Sequence, residues 1–182
     1  MHRATLGFER SARAYDRGRP DYPPEAAFSL LAHCGVDRSS RVLELGTGTG
    51  KFTGFICQCA GHVFASDPSP AMRASFRDKF PGVRCLAARA DGLPIASGRM
   101  DAVICAQAFH WFADQASVAE IARVLAPGGH LGLAWNVRDE GVEWISALTA
   151  VIDVHGGDAP RYRTGEWQRA LLENPAFSDL HA

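Results

Sequence analysis

No run of about 18 apolar residues occurs in the 182-residue chain, which removes a membrane-spanning helix from consideration. The opening Met-His-Arg-Ala-Thr is followed by no apolar stretch, so no secretory leader is expected. Net charge is almost absent. At −1 near pH 7 it gives no overall field toward nucleic acid or an anionic membrane. The five cysteines are wrongly spaced for redox or zinc chemistry. Cys57 and Cys59 stand two apart on an expected helix and point away from each other, Cys85 and Cys105 sit inside apolar runs, and Cys34 is isolated. No metal site is therefore expected, and the cytoplasm is the default compartment. Repeats and low-complexity linkers are also missing.

What is present is a composition 47% hydrophobic, enough for one globular domain with a real core. Charge is uneven only at the start. Residues 1–20 carry Arg3, Arg10, Arg13, Arg17 and Arg19 against Glu9 and Asp16, on a segment that reads as separable. It is either a solvated face or an arm over an anionic ligand. The expected organisation is an N-terminal arm or lid over residues 1–22 and one domain over residues 23–182.

Strand-like and helical patterns alternate along the chain. Pro23-Pro24 opens a helix that Gly35 closes. Arg41–Leu45 reads as a strand, Lys51–Ala60 as a helix stopped by Gly61, and His62–Ser66 as a second strand ended by Asp67. Ser69 caps a helix that has Pro70 at its first position and runs to Phe80. Val83–Ala87 is a third strand and Asp101–Ala106 a fourth. A helix over Asp114–Leu125 is ended by Ala126-Pro127-Gly128-Gly129, and His130–Trp135 is a fifth strand. Glu143–Val154 and Trp167–Leu172 look helical, and Phe177–His181 is a candidate sixth strand. Strands separated by helices predict an α/β fold, a Rossmann-like doubly wound parallel sheet with helices on both faces.

The first strand runs straight into Gly46-Thr47-Gly48-Thr49-Gly50. In such sheets a Gly-rich turn after the first strand is the usual ligand contact. A nucleotide P-loop needs Gly-Lys-Ser/Thr, and Lys51 is followed by Phe52. A dinucleotide fingerprint needs GxGxxG, and the count here is GxGxG. Glu44 stands just before the loop, where a carboxylate opposes pyrophosphate and suits a cation or hydroxyl donors. Asp67, at the end of the second strand, can accept hydrogen bonds from both ribose hydroxyls. Together they suit an adenosine ligand that carries positive charge and lacks pyrophosphate, a description that S-adenosylmethionine fits.

Glu44 to Gly50, Asp67, Ala90-Asp91-x-Leu93-Pro94 and Arg123 to Gly129, in that order, resemble the motifs of class I S-adenosylmethionine-dependent methyltransferases, type 11 small-molecule branch. Ala106 to Phe112 and Tyr15-Asp16-x-Gly18-Arg19-Pro20-x-Tyr22-Pro23 are similar to a subgroup that includes trans-aconitate methyltransferase-like proteins. The resemblance covers roughly residues 8–137. It implies that Glu44, Gly46, Thr47, Gly48 and Gly50 cradle the methionine part and approach the ribose, and that Asp67 binds the ribose hydroxyls. It places Met72 against the adenine, unless that side chain is core. Ala90 and Asp91 would border the adenine edge, and Gln107 would sit near the methyl group. Arg89 departs from the pattern: many relatives have an Asp there, and an Arg cannot accept a hydrogen bond from the adenine amino group.

Methyl transfer from a sulfonium is an in-line displacement with an activated donor, so a base is needed only if the acceptor carries a proton. His110, after the fourth strand, is the candidate base; its bland reading is a structural histidine beside Trp111. Trp111, Trp135 and Asn136 are candidates for the acceptor pocket, with Tyr15 and Tyr22 on a lid. Arg19 is placed to pair with the methionine carboxylate or an acidic acceptor. His130 opens the fifth strand at the wrong end of the sheet. Class I methyltransferases usually finish with two more strands, and at most one candidate follows Trp135, so the C-terminal strand pair reads as truncated. An open edge on the fifth strand invites pairing, and a homodimer through the C-terminal region is expected there, or else an unsupported tail. Other readings are a protein that binds S-adenosylmethionine without catalysis and, less favoured, a nicotinamide-dependent oxidoreductase. The expected partner is a small-molecule methyl acceptor, with nucleic acid disfavoured.

Overall fold

The computed structural model describes residues 16, 18–154 and 160–177. In chain order the elements are α1 (Pro24–His33), β1 (Arg41–Leu45), α2 (Thr53–Cys59), β2 (His62–Ser66), α3 (Pro70–Lys79), β3 (Arg84–Leu86) and β4 (Met100–Ala106). Then come α4 (Gln115–Val124), β5 (Leu125–Ala134), α5 (Glu143–Val154) and α6 (Glu166–Leu172). Single 3-10 turns lie at Phe109–Trp111 and Tyr162–Thr164. The sheet is parallel throughout, in the order β3-β2-β1-β4-β5. Among the described residues no helix is long and apolar enough to cross a membrane.

Successive residues of β1 and β4 feed two separate cores, as the two-residue period of a strand requires. Val42, Ala102 and Ile104 pack with Ala27 and Leu31 of α1 and Ile56 of α2. Leu43, Leu45, Val103 and Cys105 pack with Val118, Ile121 and Val124 of α4 and with Ala170 and Leu171 of α6. The central strands are thus buried on both faces, which is why they read as near-continuous apolar runs. Arg41 fastens β1 to β4 at the amino end. Its backbone N–H, Nε and Nη2 all donate to Asp101, at 2.8, 3.0 and 2.8 Å.

Local signals start two helices as expected. Ser69 Oγ accepts from Met72 N at 3.3 Å with Pro70 at the first position, and Asp114 Oδ1 accepts from Ser117 N at 2.8 Å. The stretch after α4 differs from the sequence reading. No loop separates α4 from β5; the strand begins at Leu125, paired with Met100, and the next pair is Ala102 with His130. Residues 126–129 are bulged out opposite Asp101 alone, with Gly128 at φ +76°. Parallel pairing therefore starts earlier than Pro127-Gly128-Gly129 suggests. Of the candidate sixth strand, Phe177 is in a loop and residues 178–182 lie outside the described residues. Among the described residues β5 pairs with β4 alone, so it forms one edge of the sheet.

Strand order reverses between β1 and β4, so a crevice opens at their carboxyl ends. The glycine turn fills the approach to it. Gly46 N and Thr47 N donate to Ser66 O at 2.8 and 3.2 Å, stitching the turn to the end of β2. Gly46 has φ +66°, and a Cβ there would lie 2.5 Å from Ala108 Cβ; Gly48 has φ +56° and open space around it. The two glycines therefore answer different constraints, one steric and conformational, the other conformational only. Gly48→Ala is expected to cost about 1–2 kcal/mol, the left-handed penalty alone. Gly46→Ala adds the collision with Ala108, a further ~1–3 kcal/mol. Urea unfolding checks the order: the Gly46 variant must have the lower midpoint, and equal midpoints would remove the Ala108 contact from the account.

Candidate active site

Two cavities open at the carboxyl ends of β1 and β4, and Gly46 and Trp111 line both. The smaller, about 240 Å³, is walled by Ser66 and Pro68 after β2, by Ala88, Arg89, Ala90 and Asp91 after β3, and by Phe112, Asp114 and Ser117. The larger, about 750 Å³, extends from Glu44 and the glycine turn past Gln107 and His110 to Asn136, Thr149 and Arg161.

Two buried carboxylates stand at the turn. Glu44 shares the face of β1 on which α2 packs and is 2% exposed. Thr53 Oγ1 of α2 donates to Glu44 Oε2, and Thr47 Oγ1 lies 3.1 Å from Thr53 Oγ1. Burial pushes Glu44 up to about 7, against the pull of those two threonines and with added repulsion from Asp67. Asp67 is 7% exposed, with Oδ2 accepting from Gly48 N at 2.9 Å and Oδ1 from Ser69 N at 2.8 Å. Burial raises its pKa too, opposed by those two amides. Asp67 lines neither cavity itself, but Ser66 and Pro68 beside it line the smaller and Gly48 lines the larger. Each of its oxygens retains a lone pair for a further donor.

At the β3 end, Ala90 and Asp91 both border the smaller cavity. Arg89, the departure noted in the sequence, turns its guanidinium onto Asp91 through two hydrogen bonds of 3.0 and 2.8 Å. Both Asp91 oxygens are thus engaged, and that arginine holds the carboxyl below the usual carboxylate range. Met72 is buried on α3, 4% exposed, and lines neither cavity, so its place is in the packing. Gly50, at φ +86°, closes the turn through its N–H to Thr47 O at 2.9 Å and also lies off the cavity walls.

Gln107 is the one non-glycine residue with positive φ, 57°, among the described residues. Its N–H donates to Ala134 O and its Nε2 to Asn136 O, at 2.8 and 2.9 Å, so the ends of β4 and β5 hold it there. A non-glycine side chain kept in this region carries backbone strain, and Gln107 does so at the wall of the larger cavity. Asn136 also reaches Asp21 O, at 3.4 Å, and lines the larger cavity.

His110 lines the larger cavity, and its partner decides its chemistry. Trp135 Nε1 lies 3.0 Å from His110 Nδ1. An indole N–H can only donate, so Nδ1 must be the acceptor and the neutral ring carries its proton on Nε2. Burial, followed by the nearby charge of Arg19, pushes the imidazole down to about 4. The ring is therefore a neutral hydrogen-bond donor and not a poised base. Trp135 lines neither cavity. It packs on Tyr162 and Trp167, at 4.7 and 4.6 Å between ring centroids, and so ties β5 to the C-terminal segment.

The start of the described chain crosses the glycine turn. Asp16 Oδ1 accepts from Thr49 Oγ1 at 2.6 Å and from Lys79 Nζ, and these partners hold it below the usual carboxylate range. Asp21 pairs with Lys51 at 2.7 Å, and Tyr22 meets Phe52 edge-on at 5.0 Å. Arg19 and Tyr22 line the larger cavity; Tyr15 lies outside the described residues. Sequence reasoning missed Thr53, whose role depends on the facing of α2 and β1, and the cavity residues Arg138, Thr149, Arg161 and Arg163. Those last sit beyond the motif-bearing region and had no local signal. Among the described residues no cluster of three His, Cys, Asp or Glu could hold a metal.

A profile of the methyltransferase-domain family matches residues 43–133, half the chain. An uncharacterized methyltransferase-like protein of Schizosaccharomyces pombe is 39% identical over 174 residues, which cover 95% of this chain and 68% of that protein. An uncharacterized methyltransferase of Mycobacterium bovis is 42% identical over 159 residues, 87% of this chain and 63% of that one. The chain thus spans about two thirds of the length of these curated relatives. A chain of the complex between the Haloferax volcanii Trm112 methyltransferase activator and a methyltransferase superposes with a TM-score of 0.63 at 31% identity, over 77% of this chain and 66% of that chain. A parallel sheet in this order, matched across its glycine turn by such relatives, makes the chain a member of the class I S-adenosylmethionine-dependent methyltransferases.

Proposed function

We propose that the chain moves a methyl group from S-adenosylmethionine to a small-molecule acceptor in the larger cavity. The observation that carries this is the pair of buried carboxylates, Glu44 and Asp67, at a glycine turn. Neither has a cationic side chain hydrogen-bonded to its carboxylate among the described residues, and both are raised by burial. A pyrophosphate would be repelled there, whereas an ammonium group and ribose hydroxyls would satisfy both. S-adenosylmethionine supplies a methyl group already activated by its sulfonium. Glu44 takes the cationic amino-acid part, with Gly46, Thr47 and Gly48 allowing close backbone approach. Asp67 accepts from the ribose, Ala90 and Asp91 border the adenine, and Gln107 faces the methionine. Arg19 pairs with a carboxylate of the donor or of the acceptor. His110 donates from Nε2 to orient the acceptor, so the acceptor needs no proton removed by that residue. Catalysis then rests on positioning.

The stretches Ala106–Phe112 and Tyr15–Pro23 support the trans-aconitate methyltransferase-like subgroup as the nearest acceptor class. Among the described residues β5 pairs with β4 alone, and its other side is where a second copy of the chain would pair. Sedimentation would then report a dimer, and a stable monomer would sink that arrangement.

Thermal unfolding tests the donor. S-adenosylmethionine and S-adenosylhomocysteine, at 100 times Kd, are expected to stabilise the chain by about 2.7 kcal/mol, and NAD and ATP to do nothing. Stabilisation by NAD alone would replace this reading with a dehydrogenase. Asp67→Ala is expected to weaken S-adenosylhomocysteine by about tenfold or more; unchanged affinity would refute the ribose role. His110→Ala should reduce turnover without moving the pH profile above about pH 5, because the imidazole, held at about 4, is already neutral there. A lost ionisation above that pH would restore the base.

Glu44 adds a pH signature. Its folded pKa of about 7 exceeds the ordinary 4.5, so the protonated form is the one the ligand-free fold favours. That stability is complete below about 4.5 and is lost as pH rises through about 7. An ammonium group bound at Glu44 favours the carboxylate, so S-adenosylhomocysteine affinity should rise across the same window. Melting temperatures taken with and without ligand against pH measure both slopes, and Glu44→Gln should flatten them.

A further inference from the structure

The turn after β3 sets which polar groups the smaller cavity shows to a ligand. Gly92 N donates to Arg89 O at 3.3 Å, which closes residues 89–92 into a tight turn. The side chains of Arg89 and Asp91 meet there, and both residues line the cavity. Their contact is a fork. Arg89 Nε donates to Asp91 Oδ1 at 3.0 Å and Nη2 to Oδ2 at 2.8 Å, the directional geometry of a guanidinium on a carboxylate. The Arg89 side chain is 61% exposed, so water screens the pair and it adds little to stability. Its consequence lies in the donors and acceptors left on the wall.

Asp91 keeps lone pairs, as Asp67 does, but its partner is a cation and not an amide. Its charge is already matched, and any donor that comes to it also meets the guanidinium. Arg89 has donors to spare: a guanidinium only donates, and among the described residues Nη1 donates to nothing. Elsewhere on the wall Ser66 Oγ donates to Ala88 O at 3.0 Å, and Asp114 Oδ1 caps α4. Leu45, Pro68 and Phe112 supply apolar surface for the faces of a base. The edge of a purine is where such a wall discriminates. Adenine presents the acceptor N7 beside an amino group that donates, whereas a 6-oxopurine presents two acceptors, N7 and O6. A guanidinium complements N7 and O6 together, but on adenine N7 alone.

We propose that Arg89 is the specificity-determining residue of the base pocket: it makes the pocket read N7 and not the 6-amino group, so that 6-oxopurine analogues of the methyl donor are admitted. The proposal rests on the reading that this cleft holds S-adenosylmethionine with its base beside Ala90 and Asp91. Arg89 acts in two ways. It occupies the carboxylate that would otherwise select an amino group, and it offers donors that an oxo group can take.

Calorimetric titration with S-adenosylhomocysteine and S-inosylhomocysteine provides the test. Wild-type protein is expected to bind the two within about fivefold of each other, whereas a pocket built on the amino group would reject the inosyl form by orders of magnitude. Arg89→Met keeps the aliphatic stem, loses the donors and releases Asp91. It is expected to weaken S-inosylhomocysteine by about tenfold or more and to tighten S-adenosylhomocysteine by about threefold. Adding Asp91→Ala should abolish that tightening and leave the weakening, since no carboxylate then remains to take the amino group. Asp114→Asn preserves the helix cap and should leave the ratio of the two affinities within about twofold. The turn is exposed, so Arg89→Met should move the ligand-free melting temperature by less than about 2 °C. A wild-type preference for the adenosyl form beyond fivefold (about 1 kcal/mol) would overturn the proposal. So would a ratio that Arg89→Met leaves unchanged, or an Asp114→Asn variant that selectively loses the adenosyl form. Wild-type protein that binds neither thioether would overturn the proposed function instead. Adenosine and inosine titrated alone would then decide the pocket: selective loss of inosine in Arg89→Met supports it, and any other result refutes it.

Discussion

The hydrogen bond from Gly48 N–H to Asp67 Oδ2, 2.9 Å long, joins the two strand ends on which the cleft depends. It fixes the glycine turn after β1 against the carboxylate after β2, and the other side of that carboxylate caps Ser69 N at the start of α3. Ser66 O takes both Gly46 N and Thr47 N just before it. The turn is therefore not a loose loop on a rigid sheet. Its left-handed glycines are held from β2, and its steric limit is set from β4 by Ala108. Sheet order brings those three strand ends together, because β1 lies between β2 and β4.

Electrostatics follow from the same arrangement. Carboxylates at the ends of two central parallel strands are necessarily dehydrated, and Glu44 and Asp67 both have raised pKa values for that reason. The fold leaves them hydrogen-bonded to hydroxyls and amides, groups too weak to hold full negative charge on Glu44. The cationic adenosine donor proposed above would complete what these hydroxyls and amides leave unfinished. The larger cavity is lined by Arg19, Lys51, Arg138, Arg161 and Arg163 as well as by Glu44, Glu140 and Asp153, so both signs of charge stand on its walls.

Trp135 follows β5 and packs at a tilt against both Tyr162 and Trp167, which stack on each other, and through Nε1 it also fixes the tautomer of His110. One indole thus ties the end of β5 to the C-terminal segment and sets the hydrogen-bonding sense of the histidine beside it.

Much of this was legible in the residues. The bounds of β1 and β2 follow from apolar runs and breakers, because burial writes itself into local pattern; those of α5 follow from its apolar composition, although Trp144, Leu148, Val151 and Val154 on it are exposed. Ser69-Pro70 and Asp114 announce helix starts for chemical reasons that are local. That Glu44, Gly46 and Asp67 stand at the strand ends beside the crevice is legible because the alternation of strands and helices sets the fold class. What the sequence could not decide was every relation across space. The strand pairing of Leu125 before Pro127-Gly128-Gly129, the capture of Asp91 by Arg89, the withdrawal of Met72 from the cavities and the donor state of His110 all depend on partners fixed only when elements pack. Thr149 is the limiting case. Nothing in its neighbours along the chain marks it, and only the packing of α5 buries its hydroxyl without giving it a partner among the described residues.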